Sequence, residues 1–520
     1  MLASLVGCTM VGPDFQGPET AVNSRWLKDG SPGLKNTDVD YRDWWSVFKD
    51  PVLNGLIEAA YRQNLDLRAA GLRVLEARAQ LGVTIGEFYP QTQQGVGSLQ
   101  YNRQSARAGG QQRTSASNLE FWQNQLGAQV AWELDFWGKF RRGIESADAA
   151  FLSSIAAYDA ALVTLTSDVA ATYIAIRTTE EQLRIAYENV RVQEESLQIA
   201  RARFEGGTTS ERDVQQALTS LASTQATIPA LETTLQQSKN ALSVLIGMPP
   251  GSVGEILARS TGIPVAPAEV AVGVPADLLS RRPDVLSAEL DAAAQSARIG
   301  LVKADLYPSI SLIGNFGYVA SDWTNYSLGD LFQSRTRAIT FGPTLTWNFL
   351  NYGRITNNVR FQDAVFQERA TNFQNTVLRA QREVEDGLIF FLNAQERTKI
   401  LARAVAAAQR SLELSILQYR EGITDFTTVL TAQQELLTQQ NNFAVSTGDI
   451  PSGLVQVYRA LGGGWEIRAG DDFVPAEVRA EMARRTDWGN VLTPVNLLEP
   501  PGPVLPTPAN VSPRVRPPEF

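Results

Sequence analysis

The sequence predicts a mainly α fold with membrane-type β-strands, in which one structural unit is built twice in tandem. The first observation is internal repetition. Adding 215 carries Trp132, Gly138, Ala149, Phe151, Val214 and Gly247 onto Trp347, Gly353, Ala364, Phe366, Val429 and Gly462. Adding 218 carries Asp66, Ala70, Leu72, Ala79, Gly82, Tyr89 and Pro90 onto Asp284, Ala288, Leu290, Ala297, Gly300, Tyr307 and Pro308. A period this long exceeds that of solenoid repeats and marks a duplicated architecture. The offset changes between Pro90 and Trp132, where a length-tolerant loop is expected. The second and third observations are two kinds of hydrophobic period, near 2 before each repeated tryptophan and near 3.5 after it.

Composition removes several function classes. The 520-residue chain has no histidine, so a Ser-His-Asp triad, a Cys-His dyad and a histidine metal site are excluded within one chain. Its one cysteine, Cys8, excludes an intrachain disulfide and a multi-cysteine cluster. No cofactor and no metal site is expected, and the reading is not an enzyme. With 46 basic against 55 acidic residues, the net charge of −9 disfavours nucleic acid as a partner. No run of 18 uninterrupted apolar residues marks a helical membrane span. Leu5-Val6-Gly7-Cys8 has the form of a lipoprotein cleavage site, although the seven residues before Cys8 are shorter than a full secretory signal. Residues 1–8 are therefore read as a truncated signal with its lipobox, and Cys8 as the lipid attachment point.

Residues 9–40, rich in Gly, Pro, Asn and Asp, read as an extended lead-in rather than a packed unit. The first repeat, 41–250, opens with helical spacing through Leu53, Leu56, Ile57, Ala60 and Leu65, and Pro90 ends that region. In residues 92–135 Leu126, Val130, Trp132 and Leu134 alternate with Gln125, Gln129 and Glu133. In the second repeat, 281–466, Ile339, Phe341, Leu345, Trp347 and Phe349 alternate with Thr340, Thr344 and Thr346. Such alternation with terminal aromatics fits a membrane strand, and it fits a soluble half-buried sheet equally well. Glu145 to Glu205 holds neither Pro nor Gly, which at 1.5 Å per residue makes a helix roughly 90 Å long. Gly206-Gly207 ends it, and a return helix follows with Pro229 as an expected kink. The second repeat follows the same plan, turning at Gly422. Residues 251–280 are the connector between repeats. Residues 467–520 are expected as a Pro-rich tail, with nine prolines from Leu492 to Phe520.

Two strands per repeat give four per chain, too few to close a barrel, while an open sheet edge in lipid leaves backbone groups unsatisfied. Three chains would supply twelve strands and twelve long helices. The expected object is a trimeric twelve-stranded β-barrel continued by a long α-helical barrel.

The residues also carry a family resemblance, spread over roughly 7–466. Its motifs are Gly7-Cys8 with Val11-Gly12-Pro13-Asp14, Trp44-Trp45, Asp50-Pro51, Asn64-Leu65-Asp66-Leu67, Phe88-Tyr89-Pro90, Trp132-Glu133-Leu134-Asp135, Arg281-Arg282-Pro283-Asp284 and Tyr458-Arg459-Ala460-Leu461-Gly462-Gly463-Gly464-Trp465. In this order they resemble the TolC-like outer-membrane efflux factors, in particular the lipoprotein branch paired with resistance-nodulation-division pumps. The resemblance implies a homotrimer in the Gram-negative outer membrane extending into the periplasm. It implies docking to a periplasmic adaptor (membrane fusion) protein and an inner-membrane pump, with outer-membrane lipid around the barrel.

On this reading Gln125, Gln129, Thr340, Thr344 and Thr346 face a water-filled lumen, while Leu126, Val130, Leu345, Trp347 and Phe349 face lipid. The resemblance makes the two helix turns a periplasmic tip, with Gly206, Gly207 and Gly422 in contact with the adaptor. It makes Asp213 and Tyr419 the residues holding that tip closed. Glu421, Thr424, Asp425, Thr428, Leu430 and Thr431 complete the gate. Many family members carry an Asp in Val-Leu-Asp-Ala-Gln, where this chain reads Val429-Leu430-Thr431-Ala432-Gln433. A ring of carboxylates would attract cations; Thr431 does not, leaving Asp425, Glu421 and Glu435 as compensating charges, Leu430 as a steric plug, or Asp425 and Glu421 as plain solvated turn residues. The competing functions are a type I protein-secretion channel and a lipid-anchored coiled-coil stalk without a channel.

Overall fold

The computed structural model describes residues 10–35, 41–105, 120–271, 281–322 and 328–493. Cys8, residues 106–119 of the Pro90–Trp132 stretch in which a loop is expected, and the tail from 494 onward lie outside the described residues. In chain order the main elements are α1 (Pro51–Gln63), α2 (Leu65–Gly86), β1 (Thr92–Arg103), β2 (Glu120–Leu134), α3 (Lys139–Glu205), α4 (Glu211–Leu245), α5 (Pro283–Lys303), β3 (Ser309–Ser321), β4 (Arg337–Thr346), α6 (Arg354–Arg420), α7 (Phe426–Ala460) and α8 (Ala476–Arg485). The duplication is written in these lengths: α3 and α6 each have 67 residues, and α4 and α7 each have 35.

Local chemistry accounts for the helix starts. Asp50 caps α1 by accepting from the amides of Val52 and Leu53, with Pro51 in the first turn. Asn64 caps α2 through the Leu67 amide, and its Nδ2 donates to the Leu245 carbonyl at 2.9 Å, tying the end of α4 to the elbow between α1 and α2. Both long outgoing helices start after a glycine at positive φ, Gly138 at 75° and Gly353 at 81°. Pro229 sits inside an unbroken α4, and Pro451 inside α7. α3 contains an 18-residue window apolar enough to cross a membrane, but most of it is buried inside the protein.

The four strands form one antiparallel sheet in the order β1-β2-β3-β4, so β1 and β4 are open edges of the chain. The strand expected through Phe349 stops earlier. Pairing ends at Ser309 opposite Thr346, and Trp347 and Phe349 lie past the strand. Trp347 is held there by its indole N–H, which donates to the Leu306 carbonyl at 3.1 Å. The repeat-equivalent Trp132 donates to the Phe88 carbonyl, also at 3.1 Å, so the two repeats share one junction bond.

The main core lies where the repeats meet, around Trp44, Trp45, Phe48, Leu56, Leu162 and Tyr458. Trp44 stacks on Tyr458 at 5.2 Å between ring centroids. A second, smaller cluster sits at the far ends of the long helices.

Two expected segments are corrected. The lead-in is extended, as expected, but it is packed. Phe15 and Trp26 are buried, and Gln381 acts as a strand edge would, accepting from the Asn23 amide at 3.0 Å and donating to the Ala21 carbonyl at 2.8 Å. The segment ends in a short parallel pairing of Leu34-Lys35 with Val270-Ala271. The Pro-rich tail does not begin at residue 467: Phe473 and Val474 are buried in the main core, and α8 follows. The prolines cluster after Thr493, so the preceding segment was free to fold.

Candidate functional site

Two places carry the chemistry expected of this chain, the faces of the sheet and the tip formed by two helix turns. In an antiparallel sheet, directly opposed residues project to the same side. The register Val130↔Gly314↔Phe341 and Ala128↔Phe316↔Ile339 puts Leu126, Val130, Phe316, Ile339, Phe341 and Leu345 on one apolar face. The opposite face carries Gln125, Gln129, Asn315, Thr340, Thr344 and Thr346. Gln94 Nε2 donates to Gln129 Oε1 at 3.1 Å across the polar face. Sequence alternation had sorted these residues onto two faces, and the register brings each set together across strands.

α3 starts five residues after β2 ends and runs 67 residues, so its far end lies about 100 Å from the sheet at 1.5 Å per residue. There each turn closes in the same way. Gly207 at φ 70° donates to the Phe204 carbonyl, and Thr208 donates to that of Arg203, both at 2.9 Å. Gly422 at φ 76° donates to Tyr419 at 3.1 Å and Ile423 to Gln418 at 2.9 Å. This is the glycine-terminated helix cap that satisfies the last carbonyls. Gly206, Gly207, Gly422 and Glu421 are exposed on these turns.

The structure brings Asp213 and Tyr419 together. Tyr419 is buried, with its ring edge-on to Phe426 at 5.3 Å. Asp213 is buried and accepts a hydrogen bond from the Thr209 hydroxyl. The Tyr419 hydroxyl is enclosed beside Thr209 and Asp213 without a well-directed hydrogen bond. Burial raises its pKa, the Asp213 charge adds to the rise, and Thr209 and Arg203 oppose it, so the ring stays neutral at physiological pH.

Arg203, which sequence reasoning missed, joins the two turns. Its guanidinium lies 4.6 Å over the Tyr419 ring, and its Nη1 donates to the Tyr419 carbonyl. The available signal was its place in the last turn of α3, where a cation suits the helix end.

The remaining gate residues separate into roles. Asp425 caps α7, accepting from the Thr428 amide at 3.2 Å and the Thr428 hydroxyl at 3.0 Å, while Thr424 donates to Thr428 at 3.0 Å. The geometry gives Asp425 a role that neither reading of the sequence named, the cap of α7. Leu430 is half-buried against the tip cluster. Thr428, Thr431 and Glu435 are exposed at helical spacing on one side of α7, and the Thr431 hydroxyl returns to the Thr427 carbonyl at 2.9 Å. Asp425→Ala is expected to weaken the first turn of α7 by about 1 kcal/mol, with Asp425→Asn retaining most of the cap. Faster amide hydrogen exchange at Thr428 in the alanine variant alone would bear this out, whereas equal exchange in both would deny the cap.

A sheet with one apolar and one polar face, continued by helical hairpins of this length, fits one chain of a membrane channel. Matches to known sequences agree. The outer membrane efflux protein family matches residues 56–248 and again 274–463, and the two matches start 218 and end 215 residues apart, the offsets found in the sequence itself. The chain belongs to this family. Nodulation protein T of Rhizobium leguminosarum bv. viciae is 31% identical over 472 residues, covering 89% of this chain and 92% of that protein. The antibiotic efflux pump outer membrane protein ArpC of Pseudomonas putida is 30% identical, covering 90% of this chain and 94% of the relative. Among solved structures, the outer-membrane channel OprN superposes with a TM-score of 0.81 at 30% identity, covering 88% of this chain and 99% of OprN.

Proposed function

We propose that this protein is the outer-membrane channel of a tripartite efflux system, a passive homotrimeric conduit for small molecules. Three copies join edge to edge, β4 of one chain beside β1 of the next, and close a twelve-stranded barrel whose apolar face meets lipid and whose polar face lines water. The observation that carries this is the sheet itself, whose two faces differ in polarity and whose open edges cannot remain unpaired in a bilayer. The long helices of three chains continue the wall across the periplasm to a tip that narrows the passage. There Thr428 and Thr431 face the opening without charge, and the turns at Gly206, Gly207 and Gly422 meet a periplasmic adaptor, which connects to a resistance-nodulation-division pump in the inner membrane. Relatives named for efflux of solvents and antibiotics support small molecules as cargo.

A lipid on Cys8 fits this arrangement. The described chain begins at Met10, packed against Gly138 where strand meets helix, and Val11 donates to the Trp137 carbonyl at 3.0 Å.

The test is single-channel recording of the purified protein in a planar bilayer, comparing wild type with Thr431→Asp. Reproducible conductance is expected from the wild type, and a cation preference from the variant, because three carboxylates would ring a low-dielectric mouth. A protein that never conducts would sink the conduit. Conductance with unchanged selectivity would remove Thr431 from the constriction.

A further inference from the structure

The repetition that relates the two halves of the chain also relates the joints between its helices. Next to the sheet, α2 packs on α3, α3 on α5, and α5 on α6. The first and last of these are one joint made twice, once in each repeat. The α3–α5 joint, where the first repeat meets the second, has a counterpart as well, α6 against α2. Among the described residues no comparable packing of α6 on α2 occurs within the chain.

Two polar contacts mark the α3–α5 joint. Lys139 Nζ lies 3.2 Å from Asp305 Oδ1, just past the end of α5. The Ser153 hydroxyl donates to Asp291 Oδ1 at 2.7 Å. The offset of 215 carries Lys139 and Ser153 onto Arg354 and Glu368, and the offset of 218 carries Glu87 and Arg73 onto Asp305 and Asp291. The missing joint therefore inherits two couples of opposite charge, Arg354 with Glu87 and Glu368 with Arg73. All four side chains are exposed, and among the described residues none has a partner within the chain. The apolar positions follow the same rule. Ser146 and Leu301 line one crevice of the α3–α5 joint. Their equivalents Phe361 and Val83 are 61% and 57% exposed.

We propose that α6 of one chain docks on α2 of the next copy as α3 docks on α5, with Glu368 paired to Arg73 and Arg354 to Glu87 across the seam. The inference rests on the trimeric conduit reading and supplies the residues of its helical seams. It agrees with the strand seam of that reading, because β4 leads into α6 and α2 leads into β1. The Glu368–Arg73 couple also decides which helix is admitted. A ring closed one repeat out of step would bring α6 of one chain onto α5 of the next, since α5 is the equivalent of α2. Glu368 would then oppose Asp291, and like charges facing each other across an interface reject that partner. Within the chain the same position of α3 is Ser153, whose hydroxyl bonds Asp291 instead of repelling it. A carboxylate at one of two equivalent positions and a hydroxyl at the other thus separate the joint between chains from the joint within one.

Cysteine cross-linking locates the seam. In detergent-extracted protein carrying Arg73→Cys with Glu368→Cys, a short bifunctional maleimide is expected to give covalent dimers and trimers on a denaturing gel. Neither single variant, which also controls for Cys8, should do so. Trimers by light scattering whose subunits stay unlinked would overturn the seam and leave the conduit intact. A protein that is monomeric before treatment would overturn the conduit reading and this inference with it. Charge reversal tests the pairing itself. Glu368→Arg and Arg73→Glu are each expected to lower the melting temperature of the trimer by several degrees. The two together should recover most of that loss, which two variants damaged only in folding would not. A double reversal no more stable than either single one would overturn the pairing.

Discussion

Arg468→Ala is expected to be among the most damaging single substitutions in the periplasmic body, lowering stability by about 3–5 kcal/mol. Arg468 and Asp159 are 309 positions apart, yet their side chains are 4% and 1% exposed and meet at two points, Nε with Oδ1 and Nη2 with Oδ2 at 2.9 Å. The guanidinium also lies 5.6 Å from the Trp465 ring and 5.1 Å from the Phe473 ring, so it holds the segment after α7 onto the first third of α3. Taking away the cation leaves a buried carboxylate with no counter-charge, and that loss exceeds what the intact pair contributes. The double substitution Asp159→Leu with Arg468→Met should therefore be less harmful than Arg468→Ala alone. Thermal denaturation and protease resistance of the 467–493 segment measure both. A single variant within 1 kcal/mol of wild type, or a double variant worse than the single, would refute this account.

This pair also marks the limit of what the sequence discloses. Periodicity and internal offsets are properties of neighbouring or equivalent positions, so the duplication, the long outgoing helices and the alternation in the strands were legible from residues alone. Trp132 and Trp347 were recognisable as equivalents, and the structure gives them equivalent hydrogen bonds to Phe88 and Leu306. Contacts set by the meeting of distant segments leave no such period. The lead-in looked unpacked because its hydrogen bonds go to the side chains of Gln381 and Glu385, which no local pattern announces. Residues 467–493 were hidden by the prolines that follow them. Arg203 was missed because its partner lies 216 residues away. Asp425 is different: Thr424-Asp425 followed by Thr428 at the start of an apolar run is a readable helix cap.

Tyr419→Ala is expected to open the tip without unfolding the protein. Tyr419 is 3% exposed, and removing a buried aromatic side chain typically costs about 3–5 kcal/mol. Where that loss is felt depends on the packing around it. Tyr419 belongs to the small cluster with Leu412, Phe426 and Val429, separate from the main core around Trp44 and Leu56. Free energy lost there is spent on the last turns of the helices, whose unfolding exposes little else, rather than on the cooperative unit near the sheet. The substitution also takes the ring from under Arg203 and uncovers the buried Asp213 carboxylate, so that water reaches both charges. Conductance should rise several-fold, with the global melting temperature within a few degrees of wild type. Tyr419→Phe separates packing from the hydroxyl. That hydroxyl makes no well-directed hydrogen bond, so the phenylalanine variant should conduct as wild type does. If phenylalanine opens the tip as far as alanine, the hydroxyl beside Asp213 holds it closed and the ring does not. If neither variant changes conductance, the closure lies elsewhere along the helices, and the exposed face of Thr428, Thr431 and Glu435 becomes the place to look.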